Sequence, residues 1–294
     1  VGVEVVRIGV RRLASGAGGD VMARATSHAS SHDPDDARAR LIDTYREQPQ
    51  IGLVLGAGVT VGSEVPGYLE LALKVFRLAD SKRLLRRPPL PVGAYLRDLE
   101  GRDTAEPDEI LEFVRTFFTG DAVEFHDLVK QALYQRIEED VDRSHRMVAT
   151  SVFRNNETLD AVISFCAARP GARHAGPTPS VRVAPNKRLG AILTTNYDNL
   201  VEGAFGTKYR KSGILRPVGR PSATHRSGTI PVYHCHGYIS YAPRARSSSV
   251  EASHLLITQH DYFGAFYDQL GFGNVVAANF FRRWPSLFIG SAMT

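Results

Sequence analysis

The stretch "IGLVLGAGVT", residues 51–60, decides how the rest of the chain is read. Five residues without a polar side chain run together and end on glycines. A half-exposed strand would alternate polar and apolar positions. A short unbroken run closed by glycine instead predicts a strand buried on both faces, as in a parallel sheet. The next segment, "PGYLELALKVFRLAD", has apolar residues at 69, 72, 73 and 76, the spacing of a helix. Gly56 and Gly58 therefore stand between a buried strand and a helix. Backbone can approach a pyrophosphate closely there, and helix amides face the anion. The third glycine, Gly62, comes one residue later than in G-x-G-x-x-G, and a tight turn without a ligand is the plain alternative.

Outward from this unit the alternation continues. "LGAILTT", "TIPVYHCHG", "HLLITQHDY" and "PSLFIGSA" carry strand signals. The sheet strands are expected at 51–55, 190–195, 230–235 and 286–290. "DPDDARARLIDTYREQ" at 33–48 predicts a helix, with Asp33 able to cap it and Pro34 in its first turn. "AFYDQLGFGNVVAANFFRR" is expected to be helical with a glycine interruption. From about 80 to 185 the pattern changes to three helical segments, "PDEILEFVRTFFTG", "AVEFHDLVKQALYQRIEEDV" and "ETLDAVISFCAARP", followed by a loop over 169–185. Strands alternating with helices predict an α/β fold: a doubly wound, Rossmann-like parallel sheet with a large helical insertion at about 80–185. Residues 1–35, rich in Gly, Ala and Ser, are expected to be a flanking arm, and 36–294 the folded domain.

Composition narrows the function classes. The 294 residues contain two cysteines, Cys166 and Cys235, at no paired spacing. That excludes a disulfide framework and a four-cysteine zinc site, and it fits a reducing, cytoplasmic compartment. No run of about 18 apolar residues is present and no signal-peptide pattern opens the chain, so neither a membrane span nor secretion is expected. The first residue is not Met and the last strand has only a loop after it, so a longer native protein is expected. The net charge is +5, and lysine occupies only six of 36 basic positions. The basic clusters "KRLLRR" at 82–87 and "RPVGR" at 216–220 lack the interleaved aromatics of a single-strand binder. They are read as solvated faces, and direct nucleic-acid contact is not expected.

Three further segments hold chemistry at the mouths of strands. In "TTNYDNL", five consecutive residues with hydrogen-bonding side chains, Thr194 to Asp198, follow a buried strand. They either cap the next helix or meet a ligand at the carboxyl edge of the sheet. In "PVYHCHG", His234 and His236 share a face if the strand continues. No third ligand is evident, so no metal is expected. His234 reads as a packed core histidine. His236, just before Gly237, stands at the exit, where an imidazole can act as a base. In "FIGSAMT", Gly290 and Ser291 repeat the arrangement and could contact a phosphate or ribose.

Taken in order, these pieces resemble the sirtuin superfamily. The carrying residues are Gly56-Ala57-Gly58-Val59-Thr60 with Pro66, Thr195-Asn196-Tyr197-Asp198, His236-Gly237 and Gly290-Ser291-Ala292. The resemblance implies a sirtuin-type fold that takes NAD as substrate without a metal. Asn196 would lie beside the nicotinamide ribose, with Asp198 fixing the loop or the nicotinamide amide. His236 would contact ribose hydroxyls or activate water. Gly56, Ala57 and Gly58 would hold the pyrophosphate, with Val59, Thr60, Pro66, Thr195, Gly290 and Ser291 completing the cofactor contacts. Protein-deacylating sirtuins carry a four-cysteine zinc module that this chain cannot build, and their "G-I-P-D-F-R" loop is here "EVPGYLEL". The "TTNYD" wording and the helical insertion look closer to bacterial NAD-hydrolysing effectors of anti-phage defence. That likeness implies an NAD⁺ glycohydrolase, a homo-oligomer, and a sensor domain or partner outside this chain that responds to a phage component. A deacylase or ADP-ribosyl transferase, and a non-catalytic NAD- or ADP-ribose-binding module, are the rival readings.

Overall fold

In the computed structural model the described residues are 39, 42–43, 45–60, 62–63, 65–82, 84–85, 106–118, 122–139, 156–168, 183–209, 213–219, 228–240 and 255–290. The expected arm at 1–35, Arg83, Arg86 and Arg87 of the basic cluster at 82–87, and Ser291 lie outside them. The elements in chain order are β1 (Ile51–Leu55), α1 (Tyr68–Ser81), α2 (Pro107–Arg115), α3 (Ala122–Glu139), α4 (Glu157–Cys166), β2 (Ala167–Ala168), β3 (Ala184–Pro185), β4 (Leu189–Thr194), α5 (Leu200–Tyr209), β5 (Leu215–Val218), β6 (Ile230–His234), α6 (Gln259–Tyr267), α7 (Phe272–Arg283) and β7 (Ser286–Ile289). The main sheet has the order β5-β6-β4-β1-β7, and every pairing in it is parallel. β2 and β3 form a separate antiparallel pair. The fold is α/β and Rossmann-like.

β1 is buried at every position, as a central strand between β4 and β7 must be. One face of the sheet packs Leu53, Ile192 and Val232 against Leu159, Ile163 and Cys166 of α4 and Val201 and Phe205 of α5. The other face packs Val54, Ala191 and Leu193 against Phe280 of α7. Two strand glycines make that second face possible. A Cβ on Gly52 would meet the Phe280 ring at 2.4 Å, and one on Gly190 the Trp284 indole at 2.2 Å. A second core joins α1, α2 and α3 through Val75, Phe76, Ile110, Val114 and Val129. α1, spaced in sequence like a crossover helix, thus belongs to the helical lobe, whereas α4 covers the sheet.

Two readings of the sequence are corrected, and one strand is found that was not expected. "HLLITQHDY" forms no sheet strand. Within it, the carbonyls of Leu256 and Ile257 accept from the hydroxyls of Tyr197 (2.7 Å) and Tyr68 (2.9 Å) instead of from a neighbouring strand. Thr258 then opens α6 through a capping box with Asp261, a T-x-x-D signal inside the apparent strand. "RPVGR" is largely an edge strand, since Arg216–Val218 belong to β5 and pair with β6. Ala184–Pro185, read as loop, pairs with Ala167–Ala168.

The loops after β1 and β7 touch backbone to backbone. Gly58 N donates to Gly290 O at 2.8 Å, and Gly56 N to Ile289 O at 3.0 Å. Gly290 has φ +66°, and a Cβ there would lie 2.5 Å from Val59 N and 2.8 Å from Gly58 C. Left-handed backbone alone costs a side chain about 1–2 kcal/mol, and here rigid backbone also blocks it. Gly290→Ala is expected to destabilise the fold by about 2 kcal/mol or more, read as a lower urea midpoint at unchanged slope. A midpoint equal to wild type would show that this loop contact is dispensable.

Candidate functional site

Parallel strands bring their carboxyl ends to one edge, and there the loops after β1, β4 and β6 enclose a cavity of about 230 Å³. Its wall contains Ala57, Thr60 and Pro66 from the first loop, Thr195, Asn196 and Asp198 from the second, and His236 from the third. Gly56, Gly58, Val59 and Gly290 stand beside it but are not in its wall. Their glycines serve the loop–loop contact, and Val59 is fully buried. Sequence reading missed Tyr197, Tyr68, Leu71, Leu133 and Tyr262 as wall residues. The helical lobe supplies Tyr68 and Leu71 from α1 and Leu133 from α3, so it forms one side of the cavity. No local pattern could have marked Tyr68, Leu71 and Leu133, because their spacing is that of ordinary helix core, whereas Tyr197 stands inside "TTNYDNL" itself.

The loop "TTNYDNL" divides into capping and non-capping parts. Asp198 is buried and its Oδ1 accepts from Leu200 N at 3.0 Å, closing the start of α5. Burial raises its carboxyl to about 6, against the opposing pull of the Leu200 amide and His234. Thr194 Oγ1 accepts from Asn196 N at 3.1 Å. Asn196 itself caps nothing. It is 8% exposed, and its Oδ1 is buried with no hydrogen-bond partner among the described residues. An unpaired buried oxygen costs about 1–3 kcal/mol, and this one belongs to a residue of the cavity wall.

His236 is fixed from two sides. The phenol of Tyr262 stands 3.5 Å from its Nδ1, and the two rings meet edge to face at 5.2 Å. Tyr262 in turn lies 2.6 Å, hydroxyl to hydroxyl, from Tyr197. Burial depresses the His236 pKa to about 4, only partly opposed by a backbone bond to Thr195. The imidazole is therefore neutral at pH 7. Tyr262 is held in place because Arg115 of α2 pairs with Asp261 and bonds Thr258, tying α6 to the helical lobe. Asn156, at the start of α4, makes a comparable tie to the first loop. Its Nδ2 reaches Val59 O at 2.8 Å and Ser63 Oγ at 2.7 Å while its Oδ1 caps Leu159 N.

Residues 190–294 match the family model described as SIR2-like domain. This part of the chain is similar to SIR2-like domains. The match spans Asn196, Asp198, His236 and Gly290, and the loop after β1 precedes it. A comparison with curated proteins finds no match. SIR2-like domains bind NAD, which is in keeping with an NAD-using enzyme. Among the described residues, no group of three or more His, Cys, Asp or Glu is placed to hold a metal. No described helix is long and apolar enough to cross a membrane.

Proposed function

We propose that this chain is an NAD⁺ glycohydrolase that releases nicotinamide and ADP-ribose. The observation that carries the reading is the unpartnered, buried Asn196 Oδ1 in a cavity wall shared with a neutral His236. Nicotinamide leaves NAD⁺ as a neutral group from a cationic one, so the glycosidic bond needs little acid help. The site must instead stabilise positive charge on the ribose carbon and admit one oriented water. An amide oxygen pointed at that carbon serves the first need. A neutral imidazole serves the second by accepting a hydrogen bond from a ribose hydroxyl or from the water. The cavity is slightly smaller than the roughly 300–1,000 Å³ of ordinary ligand pockets. On this reading it takes the nicotinamide riboside end, and the diphosphate runs outward past Ala57 and Thr60. Gly56, Gly58, Val59 and Gly290 then act by shaping that rim, and Asp198 by holding the loop.

The likeness of "TTNYD" to bacterial defence effectors supports a role in depleting NAD⁺ during phage infection, within a homo-oligomer and under a separate sensor. An uncharged stripe on and after α6, Phe263, Phe266, Tyr267 and Leu270, is 56–87% exposed at helical spacing. Apolar patches of that kind mark contact surfaces and support assembly through this face. Incubating the full-length protein with NAD⁺ and resolving products by chromatography is expected to yield nicotinamide and ADP-ribose. Stoichiometric binding of NAD⁺ that stays intact, both in vitro and in infected cells, would replace the hydrolase with a binding module.

A further inference from the structure

The loop that carries Asn196 is gripped from behind the cavity. His234, the last residue of β6, is 1% exposed. Its Nδ1 lies 3.2 Å from the carbonyl oxygen of Asn196, and its Nε2 lies 2.8 Å from Glu202 Oε1 on α5. A carbonyl only accepts, so Nδ1 carries a hydrogen and donates it. Thr194 Oγ1 holds the amide of the same residue. Both backbone polar groups of Asn196 are thus fixed, while its side-chain oxygen has no partner among the described residues. Neither His234 nor Glu202 is in the cavity wall.

We propose that His234 and Glu202 are a positioning pair that aims the Asn196 side chain: Glu202 orients the ring, and the ring orients the Asn196 peptide. This rests on the NAD⁺-cleaving reading of Asn196 and adds two residues to it. The surroundings suit the task. The Tyr238 ring lies 4.6 Å from the His234 ring and limits its rotation. Asp198, the other nearby carboxylate, is occupied by the Leu200 amide. Burial works against a charge on His234, but the Glu202 carboxylate, the Asn196 carbonyl and Asp198 together hold its pKa above the ordinary value. A carbonyl and a carboxylate both accept, so the two bonds together call for hydrogens on both nitrogens, the form that the raised pKa favours.

Side-chain geometry separates positioning from mere packing. The amide nitrogen of an Asn at 234 falls near the place of Nδ1, and that of a Gln near Nε2. His234→Asn keeps the donor to the Asn196 carbonyl, whereas His234→Gln keeps the contact with Glu202 and loses that donor. Misplacing a reacting group by about 1 Å can lower a rate by about 10²-fold. With the full-length protein in its active state, His234→Gln and Glu202→Ala are expected to lower kcat for NAD⁺ at least about tenfold at little-changed KM. His234→Asn is expected to recover most of that kcat, even if all three variants melt early. Equal kcat in the Asn and Gln variants, or losses that follow only the folded fraction, would overturn the pair. Asn196→Ala, assayed alongside, tests the reading beneath it: if that variant keeps wild-type turnover, the hydrolase assignment fails, whatever the pair does.

Discussion

Asn196→Ala is expected to lower NAD⁺ turnover on the order of 10²-fold or more while melting no earlier than wild type. The two halves of this result have one cause. The Asn196 Oδ1 is buried and unpartnered, so the fold tolerates its desolvation at about 1–3 kcal/mol. Removing the amide relieves that cost and leaves a small void in a wall that already faces a cavity. Stability is then unchanged or raised. Catalysis loses the oxygen that would stabilise charge on the ribose carbon, an interaction made in the transition state. A core residue behaves the opposite way, since truncating Leu53 or Ile192 would cost about 2–5 kcal/mol. Steady-state turnover and a thermal melt on the same preparation decide the matter. An early melt with retained specific activity would make Asn196 a structural residue and remove it from the site.

His236→Asn is expected to abolish turnover and also to reverse part of the acid sensitivity of the fold. Burial sets the folded-state pKa near 4, whereas a free histidine titrates near 6.5. Between those values the unfolded chain binds more protons than the folded one, so wild type loses stability as the pH falls. From pH 7 to pH 5 the loss attributable to this group is about 2 kcal/mol. Asp198, raised to about 6, has the opposite sign in that window, but it is present in both proteins and cancels in the comparison. The variant should therefore gain about 2 kcal/mol relative to wild type between pH 7 and pH 5. Urea unfolding at the two pH values measures it. A constant difference would mean that His236 is hydrated and free to protonate, which would also weaken its role as a neutral acceptor.

The sequence by itself determined the parallel sheet and the edge at which the cavity lies. The runs at 51–55, 190–195, 230–235 and 286–290 are strands to within a residue of where their patterns end. A strand buried on both faces has to be apolar throughout, and that demand is local enough to read. Residues at the mouths of such strands share one edge because the pairing is parallel, so Ala57, Thr60, Asn196 and His236 were legible as neighbours. Tertiary structure decided everything that depends on which side chain meets which. The apolar stretch at 254–258 has strand composition, yet the hydroxyls of Tyr68 and Tyr197 take its carbonyls before any strand can. Asn196 and Asp198 look alike in sequence, and only the fold shows that one caps α5 while the other is left unpaired. His234 and His236 lie two residues apart. Yet one faces Glu202 behind the sheet and the other the cavity, because β6 ends between them and the chain turns. Polar partnership is set by contacts between distant segments, and the sequence pattern of any one segment does not carry it.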